Sequence, residues 1–387
     1  MRILNYILIL CVSLLSFSCE KKVVLPEEDG QIIVVPEGEP YIYIDAMVGK
    51  KTRGTLIEGN ELQYGFGVYG FTYDFNNRWT TYRATATPNV FKNTTETAFE
   101  APQEVTYNNG IYSYSPIQKW SGGKYTFFAY YPYNNLSVNP SGMTVQGTPY
   151  IDYAPANFLT STANHTDVLT AMFQDTSLSS SQYVDFDFQH RLSAIETVAL
   201  NFYEYNHSEG GNVSSEKIKI EITGLNLTFD NLDYMKARFY LDSSIPSDYT
   251  PINGTATYNL TPGDNASTLD YSTTSEFHRI NPQQTLLFIP QTDEDLKVTT
   301  TVSYRKKRPN GTYLNVAPDT DSNTTVNNTD QNKWIYTTSK VTEFGQSLKA
   351  GSRYYIQMTF TSAAVSINIL TSAEWEDLAD DVYHEFE

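Results

Sequence analysis

The chain has 387 residues, 40% of them hydrophobic, and carries a formal charge of −18. So acidic a chain repels phosphate backbones, which excludes nucleic acid as a partner. Beyond the N-terminal leader no run of about 18 or more apolar residues occurs, so the sequence offers no further membrane-spanning helix.

Arg2 supplies a positive start, and Ile3 to Leu15 is apolar apart from Asn5, Tyr6 and Ser13. That length matches the core of a secretory signal and falls short of the roughly 20 residues that span a membrane. The run ends in LSFSC, with Cys19 where a mature chain would begin. This resembles the bacterial lipobox, in which the thiol is acylated and the bond before it is cut. Residues 1–18 are therefore predicted to be a lipoprotein signal peptide, with Cys19 as the lipidation site. The second cysteine, Cys11, lies inside the signal and leaves with it. A mature chain starting at an acylated Cys19 has no thiol for a disulfide, a zinc site or nucleophilic catalysis. Acyl chains contribute about 0.8 kcal/mol per buried CH₂, enough together to hold a domain on a membrane.

Residues 19–40 hold Pro26, Pro36 and Pro40 among five acidic residues from Glu27 to Glu39 and read as an extended tether, with Ile32 to Val35 as a short strand candidate. From Tyr41 the signal is β, carried by Thr, Val and most of the chain's 30 Tyr and 20 Phe. YIYIDAMV (residues 41–48) alternates, with Tyr41, Tyr43, Asp45 and Met47 on one face and Ile42, Ile44, Ala46 and Val48 on the other. YGFGVYGFTYDF (64–75) alternates but changes phase, which predicts a bulge near Gly67 to Gly70. YTFFAYYPY (125–133) is apolar on both faces and reads as a central strand ending at Pro132. Leu159 to Met172 is predicted as a short helix or a loop crossing. KIKIEI (217–222) and RYYIQMTF (353–360) alternate with buried faces Ile218, Ile220, Ile222 and Tyr354, Ile356, Met358, Phe360. Turns are expected at YNNG (Tyr107), NPSG (Asn139), SEGGN (Ser208) and PNG (Pro309). Near the C-terminus Thr371 and Glu374 stand at capping-box spacing, so a short helix competes there with a strand. SLSSSQ after Asp175 is the best internal boundary, giving β-sandwich domains at 41–183 and 184–387.

Candidate chemistry is sparse. His165, His190, His207, His278 and His384 show no metal-ligand spacing, and His190 reads as a packing residue. No nucleophile motif or phosphate loop stands in a suitable context, so neither an enzyme nor a cofactor is expected. PDTDSNTTVNNTD places Asp319, Asp321, Asn323, Thr325, Asn327 and Asp330 at the positions of a Ca²⁺ loop, but Thr324 replaces the turn glycine. A hydrophilic surface loop is the better reading, and no metal is predicted. Trp79, Trp120, Trp334 and Trp375 are candidates to stack on sugars, with core placement as the alternative.

Several strings now fall in order: Cys19, KTRGTLIEGNELQYGFGVYGF from Lys51, KWSGGKYTFFAYYPY from Lys119, DVLTAMF from Asp167 and DFDFQHRLSAI from Asp185. This order resembles the fimbrillin (Mfa-like and FimA-like) family of the Bacteroidetes over most of residues 41–387. Family members often carry Trp-Pro where this chain has Trp120-Ser121, and the C-terminal half matches loosely. The resemblance implies an all-β fold with two tandem transthyretin-like antiparallel β-sandwich domains and little helix. It implies export as a lipoprotein to the outer membrane and fimbrium, with other fimbrial subunits as partners by strand addition. In structural pilins of the group an Arg-specific protease removes a first strand, and a strand of another subunit fills the groove. Carried onto this sequence, Arg53 is the processing candidate, with Lys50, Lys51 and Arg78 as alternatives, and residues 41–48 are the strand removed. SINILTSAEWEDL is the donor candidate, with Ile367 and Ile369 pointing inward; its alternative role is the last strand of its own domain. A surface ligand or glycan, of host or bacterium, is a further expected partner. The competing function is a non-polymerising surface lipoprotein that binds glycans.

Overall fold

The computed structural model describes residues 24–26, 32–34, 41–48, 62, 65–82, 102–108, 111–133, 135, 137–143, 149–161, 165–178, 183–242, 248–260, 268–274, 277–280, 285–292, 295–316, 323–328 and 334–372. In chain order the first half gives β1 (Val24–Pro26), β2 (Ile32–Val34), β3 (Tyr43–Val48), β4 (Phe66–Tyr73), α1 (Trp79–Tyr82), β5 (Gln103–Asn108), β6 (Ile111–Ser113), β7 (Lys124–Tyr131), β8 (Val138–Met143), β9 (Pro149–Tyr153), β10 (Leu169–Thr176) and β11 (Tyr183–His190). The second half gives β12 (Ser193–Asn201), β13 (Glu204–Glu209), β14 (Asn212–Lys217), β15 (Lys219–Tyr240), β16 (Asp248–Leu260), β17 (Thr268–Leu269), β18 (His278–Arg279), β19 (Leu286–Phe288), β20 (Lys297–Lys307), β21 (Thr324–Asn328), β22 (Trp334–Glu343), β23 (Arg353–Phe360) and β24 (Val365–Ser372). The all-β reading holds, and among the described residues the one α-helix is the single turn α1.

The first sheet runs β3-β11-β10-β7-β4-β5-β6. It curls over its own core, so that the chain just past β6 meets β3, the strand at the opposite end: Ile42 N–H donates to the Gln118 carbonyl at 2.9 Å. The second sandwich packs the sheet β18-β12-β23-β24 against β21-β22-β20-β15-β9-β8. Ile195, Ile356 and Met358 from one layer meet Ile220, Leu227 and Val302 from the other, all buried. The alternating runs therefore place the expected residues inside: Ile218, Ile220 and Ile222, and Tyr354, Ile356, Met358 and Phe360, all lie in this core. Among the described residues two pairings are parallel, β3 with β11 and β12 with β23, and the others in these sheets are antiparallel.

A third core joins the halves. Tyr69, Phe71, Phe128 and Tyr130 on the back of the first sheet pack against Ile151, Tyr153, Ala237 and Phe239 at the far end of the second. β15 makes this possible. It is 22 residues long, pairs β20 within the second sandwich and reaches on to pair β9 through Ala237–Tyr240. Arg238 ties β15 to β9, with Nε and Nη2 donating to the two Asp152 carboxylate oxygens at 2.7 and 2.9 Å.

This third core also explains an error of sequence reading. No bulge interrupts β4, whose pairing with β7 runs unbroken from Gly67↔Tyr130 to Tyr73↔Lys124. Phe66 and Val68 face the first core while Tyr69, Phe71 and Tyr73 face the third. The strand is apolar on both faces because both are buried, and glycine at 67 leaves room for the Tyr130 ring. β7 behaves likewise, with Tyr125, Phe127 and Ala129 inward and Phe128 and Tyr130 outward.

Other departures have simple causes. NPSG lies inside β8 rather than in a turn; β8 ends its sheet, where a proline that cannot donate to the ladder is tolerated. β11, beyond the SLSSSQ boundary, pairs with β10 and β3 in the first sheet, so the chain leaves that sheet near Arg191. β8 and β9, on the N-terminal side of that boundary, belong to the second sandwich's larger sheet. Within the tether region β1 and β2 pair antiparallel, Val24↔Val34 to Pro26↔Ile32, and β2 coincides with the short strand candidate at Ile32 to Val35. In the stretch 159–172 the described residues match the loop-crossing alternative: 159–161 and 165–168 are turn or irregular chain, and β10 starts at Leu169. SEGGN forms the turn of the β13–β14 hairpin, with Gly210 and Gly211 at φ 59° and 87° as a tight two-residue loop requires.

Candidate functional site

The region around β3 has the geometry of a filled groove. β3 is the terminal strand of the first sheet and pairs parallel with β11 from Tyr43↔Tyr183 to Val48↔Phe188. The alternation read from YIYIDAMV appears in its burial except at Tyr43, which is also buried, its ring 5.3 Å from that of Tyr183. Ile42, Ile44 and Ala46 are 1%, 7% and 6% exposed and enter the first core, whereas Met47 is 43% exposed. The groove walls and floor hold Val184, Phe186 and Phe188 of β11, with Trp120 and Tyr114 across from them. Phe66 sits at the centre, its ring 6.0 Å from Phe186, 5.2 Å from Phe188 and 5.4 Å from Tyr112. Burying two isoleucine side chains contributes roughly 3–6 kcal/mol to holding the strand.

The chain past β6 closes over the start of β3. The Tyr114 hydroxyl donates to the Ile42 carbonyl at 2.7 Å and accepts from the Gln118 N–H at 3.3 Å. Burial raises the Tyr114 pKa above the usual phenol range, which keeps the hydroxyl protonated as a donor. Tyr41 forms a bridge with Lys119, whose ammonium lies 4.8 Å from the Tyr41 ring centre. Trp120 is buried, 4.9 Å from Tyr125 edge to face, and the Ser121 N–H donates to the Tyr125 hydroxyl at 2.7 Å.

Cys19, Arg53, Lys50 and Lys51 lie outside the described residues, as do Trp375, His384, Asp319, Asp321 and Asp330. Arg78 is exposed just before α1. The donor candidate's Ile367 and Ile369 fall on β24, which pairs with β23 in its own sheet; Ile367 is 1% exposed. Here the segment 365–372 serves as the last strand of its own domain. Two of the possible sugar platforms are core residues: Trp79 packs on Phe71 and Phe128, and Trp120 lies in the first core. Thr324–Asn328 of the Ca²⁺-like stretch forms β21, paired with β22, so its Thr325 and Asn327 belong to a strand rather than a loop.

The described histidines are packing residues or surface residues. His190 Nδ1 lies 2.7 Å from Asp167 at the junction of β10 and β11. His165 stacks on Phe158 and its Nδ1 accepts from the Leu287 N–H at 3.2 Å; burial lowers its pKa to about 4, so it stays neutral. His207 stacks on Tyr205 along the β13–β14 hairpin. A recess at the end of the second sandwich surrounds Lys306, whose ammonium bonds the Tyr203 hydroxyl at 2.8 Å and lies 4.3–4.4 Å from two tyrosine ring centres. The features missed by sequence reading are the closing segment 114–119 and the third core. Tyr114 carried no periodic signal that would have singled it out.

Fold and groove together define a two-sandwich β-protein in which β3 completes the first core. The fimbrillin-like family model matches residues 74–375, and the chain belongs to that family. It is accordingly a structural, non-enzymatic protein of the fimbrial type. A fimbrial protein from Bacteroides vulgatus ATCC 8482 is similar in fold, at 19% identity and TM-score 0.57 over 87% of this chain and 99% of its own. A candidate cell adhesion protein from Bacteroides eggerthii DSM 20697 covers 88% of this chain and 97% of its own at 11% identity and TM-score 0.46. One from Bacteroides ovatus ATCC 8483 covers 89% and 100% at 14% identity and TM-score 0.43. No curated protein matches.

Proposed function

We propose that this protein is a fimbrial subunit or accessory subunit, exported as a lipoprotein on Cys19 and assembled by donor-strand exchange in support of adhesion. The observation that carries the proposal is β3: a strand at the end of its sheet whose apolar face fills a core groove. Removing such a strand leaves β11 with unpaired backbone groups and vacant pockets at the positions of Ile42, Ile44 and Ala46. Another strand can satisfy both, because ladder hydrogen bonds supply affinity and alternate side chains supply fit.

Cleavage at Arg53 is the step proposed to free β3. The lipid would then serve export and staging and leave with the cut strand. Without cleavage Cys19 would remain the anchor, and the subunit would sit at the base of the fimbria or stay unpolymerised. β24, the candidate donor, is paired within its own sheet and so lends this reading no support. The glycan-binding alternative loses two of its aromatic platforms to the cores.

Treating the mature protein with an arginine-specific protease tests the reading. The expected result is a new N-terminus at Gly54 and a ladder of multimers that resists detergent and yields to heat. Complete cleavage with a persistent monomer would overturn polymerisation.

A further inference from the structure

The two layers of the second sandwich bury their facing sides, yet part of one outer side is buried as well. Along β23, Tyr354, Ile356, Met358 and Phe360 enter the core, so Arg353 and Tyr355 project from the other face. Glu196 and Val198 of β12 project there too, on the side away from Ile195 and Ala199. Arg353 is 0% exposed, Tyr355 and Val198 2% each and Glu196 6%, with Phe277 and Leu370 packed beside them.

Arg353 is the anomaly on this face. Its Nε lies 3.5 Å from Glu196 Oε1, while Glu196 Oε2 turns to Arg279 Nε at 3.1 Å. One carboxylate thus stands between two guanidinium groups. Nη1 and Nη2 of Arg353 find no hydrogen-bond acceptor among the described residues. A guanidinium carries five N–H donors, and burying them without acceptors is strongly unfavourable. The site therefore calls for a second carboxylate.

The sequence supplies one beside it. β24 ends at Ser372, the register partner of Arg353, so the chain leaves the sheet next to that residue. Residues 373–387 lie outside the described residues. They include seven acidic residues and no lysine or arginine, and Trp375, Leu378, Ala379 and Val382 recur at helical spacing. Glu374 stands two residues past Ser372, at most about 7 Å along the chain, a distance that an arginine side chain bridges. We propose that this acidic, amphipathic segment docks on the outer face of β12, β23 and β24. A carboxylate of Glu374, Glu376 or Asp377 receives the Arg353 Nη donors, and Trp375 and Leu378 cover Val198, Tyr355 and Leu370. The docked segment pins the end of β24 to its own subunit, independently of any exchange at β3.

Fluorescence quenching and amide exchange on the mature chain, residues 19–387, test the docking. Trp375, read as the difference between the chain and its Trp375→Phe variant, should be clearly less quenched by acrylamide than in the urea-unfolded chain. Glu374→Gln, Glu376→Gln and Asp377→Asn together should raise that quenching and speed amide exchange at Tyr355 and Leu370 about fivefold or more. Arg353→Met should do the same. Adding the three neutral residues to Arg353→Met should change little further, because both variants lose the same contact. Arg353→Met with Glu196→Gln removes the buried pair at similar volume and repeats the test where the single variant does not fold. Trp375 as open to acrylamide as in the unfolded chain would overturn the docking. Additive effects of Arg353→Met and the neutralised segment would overturn the contact between them. Protection of Trp375 that grows with protein concentration would assign the face to a second copy and overturn the proposal as well.

Discussion

Gly67→Ala isolates the cost of the third core. Gly67 lies in the middle of β4, directly opposite Tyr130 on β7, and its φ is not in the left-handed region. Alanine fits that backbone, and at an open site the exchange would stabilise the fold by about 0.4–1 kcal/mol through the unfolded chain. Here a Cβ would stand 2.2 Å from Cε1 of Tyr130, 2.4 Å from Cζ and 2.6 Å from the hydroxyl oxygen. The ring is 0% exposed and lies between Tyr69 and Tyr133, at 6.4 Å from each, so it has nowhere to swing without disturbing the core. Overpacking of this kind costs about 1–3 kcal/mol, which exceeds the entropic gain and sets the sign. Urea unfolding followed by tyrosine and tryptophan fluorescence should show a lower midpoint. The double variant Gly67→Ala with Tyr130→Leu should lose most of the added cost, giving a coupling of about 1 kcal/mol or more. Gly122→Ala is the control, because nothing lies within 4 Å of its Cβ position and its φ is also outside the left-handed region. A stabilised Gly67→Ala, or one that behaves as Gly122→Ala does, would refute the packing account of β4.

Three further outcomes follow from the same structure. His165 is held neutral with a pKa of about 4 against 6.5 unfolded, so the unfolded chain binds more protons between those values. Its contribution is fully present above about pH 6.5 and is lost as pH falls toward 4, by roughly 3 kcal/mol, and His165→Gln should flatten that part of the stability profile measured in urea. Asp175 (φ 56°) accepts the Trp79 N–H at 3.0 Å and the Tyr73 hydroxyl, while its own N–H donates to Thr126 Oγ1 at 3.1 Å. Asp175→Ala should cost about 2–3 kcal/mol in urea and Asp175→Asn clearly less, because asparagine keeps an acceptor and tolerates the left-handed backbone. Arg238→Lys keeps the charge but loses the two-pronged contact with Asp152 and the guanidinium stacked 3.9 Å from the Tyr150 ring centre. That pair is partly solvated, so the loss should be about 1 kcal/mol or less, read as a small fall in thermal midpoint.

Period-2 patterns were legible wherever the sequence alternates in polarity. KIKIEI, RYYIQMTF and YIYIDAMV all bury the described residues of the faces that alternation assigned to them, although Arg353 and Tyr355 on the opposite face of RYYIQMTF are buried too. The method failed on β4, where both buried faces are apolar. In YGFGVYGFTYDF the glycines interrupt the apolar count on each face in turn, which imitates a phase change. Only the third core reveals that Gly67 is the space filled by Tyr130 from the next strand. Long-range connections were equally hidden. Nothing local in Pro149–Tyr153 states that it pairs with Ala237–Tyr240, so the linear boundary after Asp175 could not describe how the sheets divide. The candidate groove was half legible. Its strand and inward residues came from alternation, but the hold of Tyr114 on Ile42 depends on a sheet that curls until its ends meet.

The most direct test of strand exchange is to sequence the N-terminus of this subunit recovered from assembled surface fimbriae and, in the same sample, to probe for residues 41–48. Donor-strand exchange after Arg53 cleavage predicts a chain beginning at Gly54, with residues 41–48 absent and a strand from another subunit cross-linking to β11. A polymerised chain that still begins at Cys19, with β3 protected against amide exchange in its own groove, would contradict it.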